Sequence, residues 1–203
     1  IWKYLKDIWI KHVTNIDSNA FQNNEYLETI TFGESLVTIG NNAFEGCTGL
    51  KYLDLPNSIT SIGQSAFENV GQLQYLRIPE NLKIIQNKSF MNWNSLQRLE
   101  MGDGVERIEI QAFDVDSGTN SLQTIKLPTT LNFIDRIRAF ANRGNLKVVY
   151  MTEQVRQRIG YGVPPFTDPL GRIFNKSPYS QFSDEYKENG QPFHRDTTRY
   201  PIS

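Results

Sequence analysis

Five phenylalanines, Phe21, Phe44, Phe67, Phe90 and Phe113, stand 23 residues apart, and Phe140 follows after 27. A fixed period of that length is the mark of a repeat array, in which each unit buries its apolar side only by stacking on its neighbours. The other apolar columns keep the same register. Leu27, Leu50, Leu73, Leu96, Leu122 and Leu146 each open a run of the form L-x-x-L-x-L, completed by Leu53 and Leu55, for example, or by Leu76 and Ile78. Pro56, Pro79 and Pro128, or Gly33 and Gly102, close those runs, as expected where a strand must stop and turn. Two further columns follow, Leu36, Ile59, Leu82, Val105 and Leu131, then Ile39, Ile62, Ile85, Ile108 and Ile134. The longer last interval reflects extra residues after Phe113 and near Ile134, which a stacked repeat tolerates in its loops.

This pattern predicts a solenoid. Each L-x-x-L-x-L run should be a short parallel strand with its leucines inward, and six coils at the usual strand spacing would build a sheet roughly 25 to 30 Å across. The phenylalanine should lie on the returning side of the coil and fill its centre. Ile1 to Lys11 reads as a degenerate first coil, in which Leu5, Ile8 and Ile10 repeat the strand pattern and Val13 and Ile16 match the next columns after a one-residue deletion. Trp2, Tyr4 and Trp9 are expected to cover the open end of the core.

The string I-G-x-x-A-F-x-x-C-x-x-L-x-x-L-x-L-P, as it stands from Ile39 to Pro56, resembles the BspA-type leucine-rich repeat, found in bacterial surface proteins and in some protist and viral proteins. The resemblance runs from about Leu5 to Thr152. The fourth repeat departs from it with Ser89 and Trp93 where Ala and Cys are usual, and the fifth has Glu109 where Gly is usual. The resemblance implies a leucine-rich-repeat fold and cell-surface recognition or adhesion, with a protein or glycan partner on another cell.

In such a scaffold, binding should fall to side chains that point away from the core. The x positions of the strands define three outward columns. The first holds Glu28, Lys51, Gln74, Gln97, Gln123 and Lys147; the second holds Thr29, Tyr52, Tyr75, Arg98, Thr124 and Val148. The third, Thr31, Asp54, Arg77, Glu100, Lys126 and Tyr150, alternates in sign from Asp54 to Lys126, which should pair charges across neighbouring strands. Tyr52, Tyr75 and Arg98 are the foremost binding candidates, because Tyr and Arg are enriched at interface hot spots, with Arg77 and Glu100 beside them.

Chemistry is hard to find. The formal charge of −1 gives no basic footprint for nucleic acid, and no apolar run is long enough for a membrane span. There is no phosphate-binding glycine loop and no nucleophile elbow, and no cofactor is expected. His12 and His194 lie at opposite ends of the chain. The single cysteine, Cys47, shares a repeat column with Asn24, Val70 and Trp93, which marks it as a buried small residue and rules out an internal disulfide. Asp114 to Asn120 alternates oxygen-bearing side chains but lacks the glycine and glutamate of a calcium loop, so it reads as a solvated loop. Asn87-Lys88-Ser89 and Asn175-Lys176-Ser177 fit the short glycosylation pattern.

Four segments result: a capping coil over 1–16, repeats over 17–151, a capping helix over 152–160 and an arm over 161–203. The helix has Thr152 as its N-cap and Gly160 as its stop. The arm holds six of the nine prolines together with Phe166, Phe174, Tyr179, Phe182, Tyr186 and Phe193. Prolines argue against regular structure, and aromatic residues at that density argue for contacts, either on the solenoid flank or on a neighbouring subunit. We therefore expect a non-enzymatic interaction module at a cell surface or outside the cell; the alternative is a structural component of a virion or surface layer, docked through the arm. Residue 1 is isoleucine, so further chain is expected ahead of it.

Overall fold

The computed structural model describes residues 4–116, 121–135, 139–140 and 148–159. Its coils have three sides. The first carries the strands of the L-x-x-L-x-L runs: β1 (Asp7–Ile10), β3 (Thr29–Phe32), β6 (Tyr75–Ile78), β8 (Arg98–Met101), β10 (Thr124–Lys126) and β12 (Val148–Tyr150). On the second lie two-residue strands: β2 (Asn15–Ile16), β4 (Thr38–Ile39), β5 (Ser61–Ile62), β7 (Ile84–Ile85), β9 (Arg107–Ile108) and β11 (Phe133–Ile134). The third is a stack of turns. All strand pairs are parallel, and the register follows the repeat: Ile8 faces Ile30, Leu76 faces Leu99, Leu99 faces Ile125.

Tight turns make the third side. Asn19, Asn42, Ser65, Lys88 and Gln111 occupy one left-handed column, and Asn23, Gly46, Asn69 and Asn92 another. Asparagine and glycine adopt that backbone at least cost. Asparagine also bonds along the column, since Asn92 Nδ2 donates to Asn69 Oδ1 at 2.8 Å. The backbone between these turns binds the next coil: the amides of Phe44, Phe67 and Phe90 donate to the carbonyls of Ala66, Ser89 and Ala112 at 2.8, 2.9 and 3.0 Å. The phenylalanines beneath are stacked nearly parallel and, from Phe44 to Phe140, wholly buried.

One core runs the length of the array. At its far end α1 (Glu153–Ile159) buries Val155, and the Thr152 hydroxyl caps the Val155 amide at 3.3 Å. Arg158 ties this helix to the last coils through Asn132 Oδ1, at 2.9 Å, and the Thr129 carbonyl.

Three expectations are corrected. The outward sheet is not continuous: β1 and β3 form one sheet, and β6, β8, β10 and β12 another. Between them the third run, Leu50 to Leu55, forms no strand and is joined to the coil before it by the bridge of Tyr52 to Thr29 and by the Lys51 amide, which donates to the Glu28 carbonyl at 3.0 Å. Proline removes one bond at the end of a run. Gly33 and Gly102 close their runs with amides that donate to Ile10 and Ile78 in the coil before, whereas Pro56 and Pro79 have no N–H to give. Trp9, next, does not cover the core. Ile8 and Ile10 point inward, so strand alternation turns Trp9 outward, 72% exposed, with Lys11 Nζ 5.1 Å from its ring. Tyr4, 74% exposed, lies against Tyr26, and the deletion before Ile16 leaves Val13 in solvent; Trp2 is outside the described residues. Finally, Asp114 is wholly buried rather than solvated. It belongs to the turn stack, accepting the Asn92 amide at its carbonyl and the Val115 amide at its carboxylate, both at 2.8 Å.

Candidate interaction surface

Parallel pairing at register places each outward column in a line along the solenoid. In the second column Tyr75 sits directly opposite Arg98, and in the third Arg77 sits opposite Glu100. The Arg98 guanidinium lies 5.6 Å from the Tyr75 ring centre and pairs with the Glu100 carboxylate, which also accepts the Tyr75 hydroxyl at 3.3 Å. Burial, with the Glu100 charge as a second cause, pushes the Tyr75 phenol up to about 12. Tyr75, Arg98 and Glu100 are thus one preorganised cluster.

The expected cross-strand pairing of Arg77 with Glu100 is not the one formed. Glu100 is held by Arg98 two residues away on its own strand, and Arg77 turns to Glu80 at 3.1 Å and to Asn57 Oδ1 at 3.3 Å. Long side chains choose partners by reach as well as by column. Tyr52 is 43% exposed and lies on the other side of the sheet division from this cluster. In the first column Glu28 bridges Lys51 at 2.5 Å and Lys6 at 3.6 Å. That contact with Lys51 holds the Glu28 carboxyl below its usual range and the Lys51 ammonium above its own.

Sequence reasoning missed the first-coil end of this face. Tyr4, Trp9 and Tyr26 join Tyr52 and Tyr75, so that five aromatic side chains at least 40% exposed lie on or beside the outward sheets. The signal was available, because Trp9 occupies the third outward column of the first coil and pairs with Thr31. A second feature lies on the short-strand side: an open depression of about 460 Å³ whose lining includes Asn15, Asp17, Thr38, Asn41 and Ser61. The arm residues Phe166, Phe174, Tyr179, Phe182, Tyr186 and Phe193 fall outside the described residues.

Among the described residues, no group of three or more His, Cys, Asp or Glu side chains is placed to hold a metal ion, and no helix is long and apolar enough to cross a membrane. Cys47 is wholly buried, and its thiol, pushed up to about 12 by that burial, donates to the Phe21 carbonyl at 3.2 Å.

A family model described as a BspA type leucine rich repeat region matches residues 14–147 in six copies. Among solved structures, a leucine-rich repeat protein of T. pallidum is similar at 24% identity with a TM-score of 0.64, over 70% of this chain and 68% of that one. The pneumococcal vaccine antigen PcpA is similar at 24% identity with a TM-score of 0.61, over 75% of this chain and 38% of that one. Both likenesses concern the fold. Among curated proteins, none matches the sequence.

Proposed function

Because the chain belongs to the BspA-type leucine-rich repeat family, we propose that it is a non-enzymatic recognition module that binds a protein partner at a cell surface through its outward sheets. The observation that carries this reading is the row of Tyr4, Trp9, Tyr26, Tyr52 and Tyr75, large rings each at least 40% exposed on a face whose alternate side chains are buried. An aromatic ring in water forgoes its burial energy, and aromatic and arginine side chains dominate binding energy where partners meet. Arg98 strengthens the case, since its fork is already oriented by Glu100 and loses little freedom on binding. The vaccine-antigen relative supports the choice of a surface setting.

The test is a binding screen of the 203-residue chain against immobilised extracellular glycoproteins and their deglycosylated forms, beside a Tyr52→Ala, Tyr75→Ala, Arg98→Ala triple variant. The expected result is binding that survives deglycosylation and falls at least about tenfold in the variant, the cost of losing even one hot spot, with the fold intact by circular dichroism. Equal binding by both chains would overturn the assignment of this face.

A further inference from the structure

We infer that Trp93 is a wedge that holds the array open between its third and fourth coils, and that it thereby sets how Tyr52 and Tyr75 are presented to a partner. The wedge stands on geometry alone; its consequence for binding rests on the function proposed above.

Trp93 stands in the repeat column of Asn24, Cys47 and Val70, where the other side chains are far smaller. It uses that column's contact with the preceding coil. As Cys47 Sγ donates to the Phe21 carbonyl at 3.2 Å, so Trp93 Nε1 donates to the Phe67 carbonyl at 2.6 Å, with the indole wholly buried and edge-on to Phe90. An interior at crystal-like density accepts such a side chain only by moving something else.

The displacement is visible in the ring stack and on both strand-bearing sides of the coil. Phenylalanine centroids along the stack are 5.1 Å apart from Phe21 to Phe44 and from Phe44 to Phe67, then 5.7 Å from Phe67 to Phe90, and 5.4 and 5.1 Å thereafter. The outward sheet and the short-strand sheet both divide at this level, β5 ending one short-strand sheet and β7 beginning the next. Proline cannot explain the second break, because Lys83, Ile84 and Ile85 all carry amides. The entry to the fourth coil is also loosened. Leu27, Leu50 and Leu96 donate back to Asn24, Cys47 and Trp93 in a tight turn; Leu73 makes no such bond, and a side chain at nearby Gly71 would meet nothing within 4 Å.

The turn side alone stays bonded, through the amides of Ser65, Phe67 and Asn69 to Asn87, Ser89 and Met91 at 3.1, 2.9 and 3.0 Å. Joined by backbone bonds on the turn side and without strand pairing on the other two, the seam has the form of a hinge whose axis runs along the turns. Movement about that axis changes the separation of Tyr52 and Tyr75, one on each leaf. Asn57 spans the opening, its carbonyl accepting Asn81 Nδ2 at 2.7 Å and its Oδ1 accepting Arg77. Side-chain bonds replace the backbone ladder there, and they are made and broken more freely.

Hydrogen exchange resolved by residue tests this without any partner, so its outcome is separate from that of the binding screen. In the natural chain the amides of Gln74, Lys83 and Gln86 should exchange at least about tenfold faster than their fifth-coil equivalents Gln97, Glu106 and Glu109, which donate across their ladder at 2.8 to 2.9 Å. Trp93→Val, matching Val70, should slow the first three toward the second. Trp93→Phe is the milder step that keeps the fold if valine does not, and it should move the same amides in the same direction. Equal protection of the two sets in the natural chain overturns the seam; fast exchange unchanged in the folded variant overturns Trp93 as its cause.

Discussion

The Arg98 guanidinium lies 5.6 Å from the centre of the Tyr75 ring, and the two side chains converge on one carboxylate, Glu100. A phenol in that setting is reluctant to ionise, because burial and the Glu100 charge both disfavour phenolate more than Arg98 favours it. With the folded-state value raised to about 12 above an ordinary value near 10, the folded chain holds this proton more tightly than the unfolded one. The resulting stability is complete below about pH 10 and is lost as pH rises toward 12. Allowing for solvent screening at a ring 40% exposed, the amount is about 1 kcal/mol. Tyr75→Phe should therefore melt below the natural chain at pH 8, and the gap should narrow by pH 11. Ultraviolet titration should show one tyrosine ionising late in the natural chain and not in the variant.

Cys47 should behave as a small apolar residue. Its thiol is wholly buried and pushed up to about 12, so a disulfide reagent at pH 8 should fail to label the native chain and should label it fully in denaturant. The sign for stability is the same as for Tyr75: this contribution is intact below about pH 9 and is lost as pH rises toward 12. Cys47→Val, which reproduces Val70 in the same column, should cost less than about 1.5 kcal/mol in urea melts, since volume is nearly kept. Rapid labelling of native protein would mean that the second turn opens far more readily than its packing implies.

The phenylalanine stack, the strand register and the Thr152 cap were all legible, because each is dictated by residues close in sequence or repeated at one period. The division of the sheet was not. Pro56 and Pro79 read as ordinary closing residues, and Pro128 fills the same place in a coil that still pairs on both sides. Trp93 was visible as a departure from its column, but whether a large ring is absorbed by local rearrangement or separates two coils depends on packing in three dimensions. At the candidate surface, the columns that brought Tyr75 to Arg98 followed from alternation alone. The choice of Glu80 over Glu100 by Arg77 did not, since a flexible side chain has several acceptors within reach.

Position along the stack should decide what a phenylalanine contributes. Phe67 is wholly buried between Phe44 and Phe90, whereas Phe21 is only partly buried and stacks on Phe44 alone among these rings. Phe67→Ala should cost about 3–5 kcal/mol, as for other fully buried aromatic side chains, and Phe21→Ala clearly less. Nearest-neighbour coupling sharpens the expectation: hydrogen exchange should rise mainly in the coils adjoining the lost ring. Equal losses for the two variants in urea melts would show that the first coil is as firmly packed as the middle of the array.

Asn92 joins two separate reasons for asparagine at one position. Its backbone is left-handed, with φ of 64°, and its side chain donates to Asn69 at 2.8 Å and Asp116 at 2.9 Å while accepting the Asp116 amide at 2.8 Å. Asn42 has the same backbone, φ of 55°, but only one side-chain bond of this kind, to Asn19 at 3.2 Å. Glycine relieves the backbone and removes the side chain; alanine removes the side chain and leaves the strain. Asn42→Gly should therefore be nearly neutral and Asn42→Ala should cost about 1 kcal/mol. At Asn92 the glycine variant should already lose about 1–2 kcal/mol, because a bond to a carboxylate and a bond that anchors the Asp116 amide go with it, and alanine should lose about 1 kcal/mol more. Urea melts of the four variants give both differences. Should Asn92→Gly prove as mild as Asn42→Gly, the bonds to Asp116 contribute nothing net, and asparagine is there for its backbone alone.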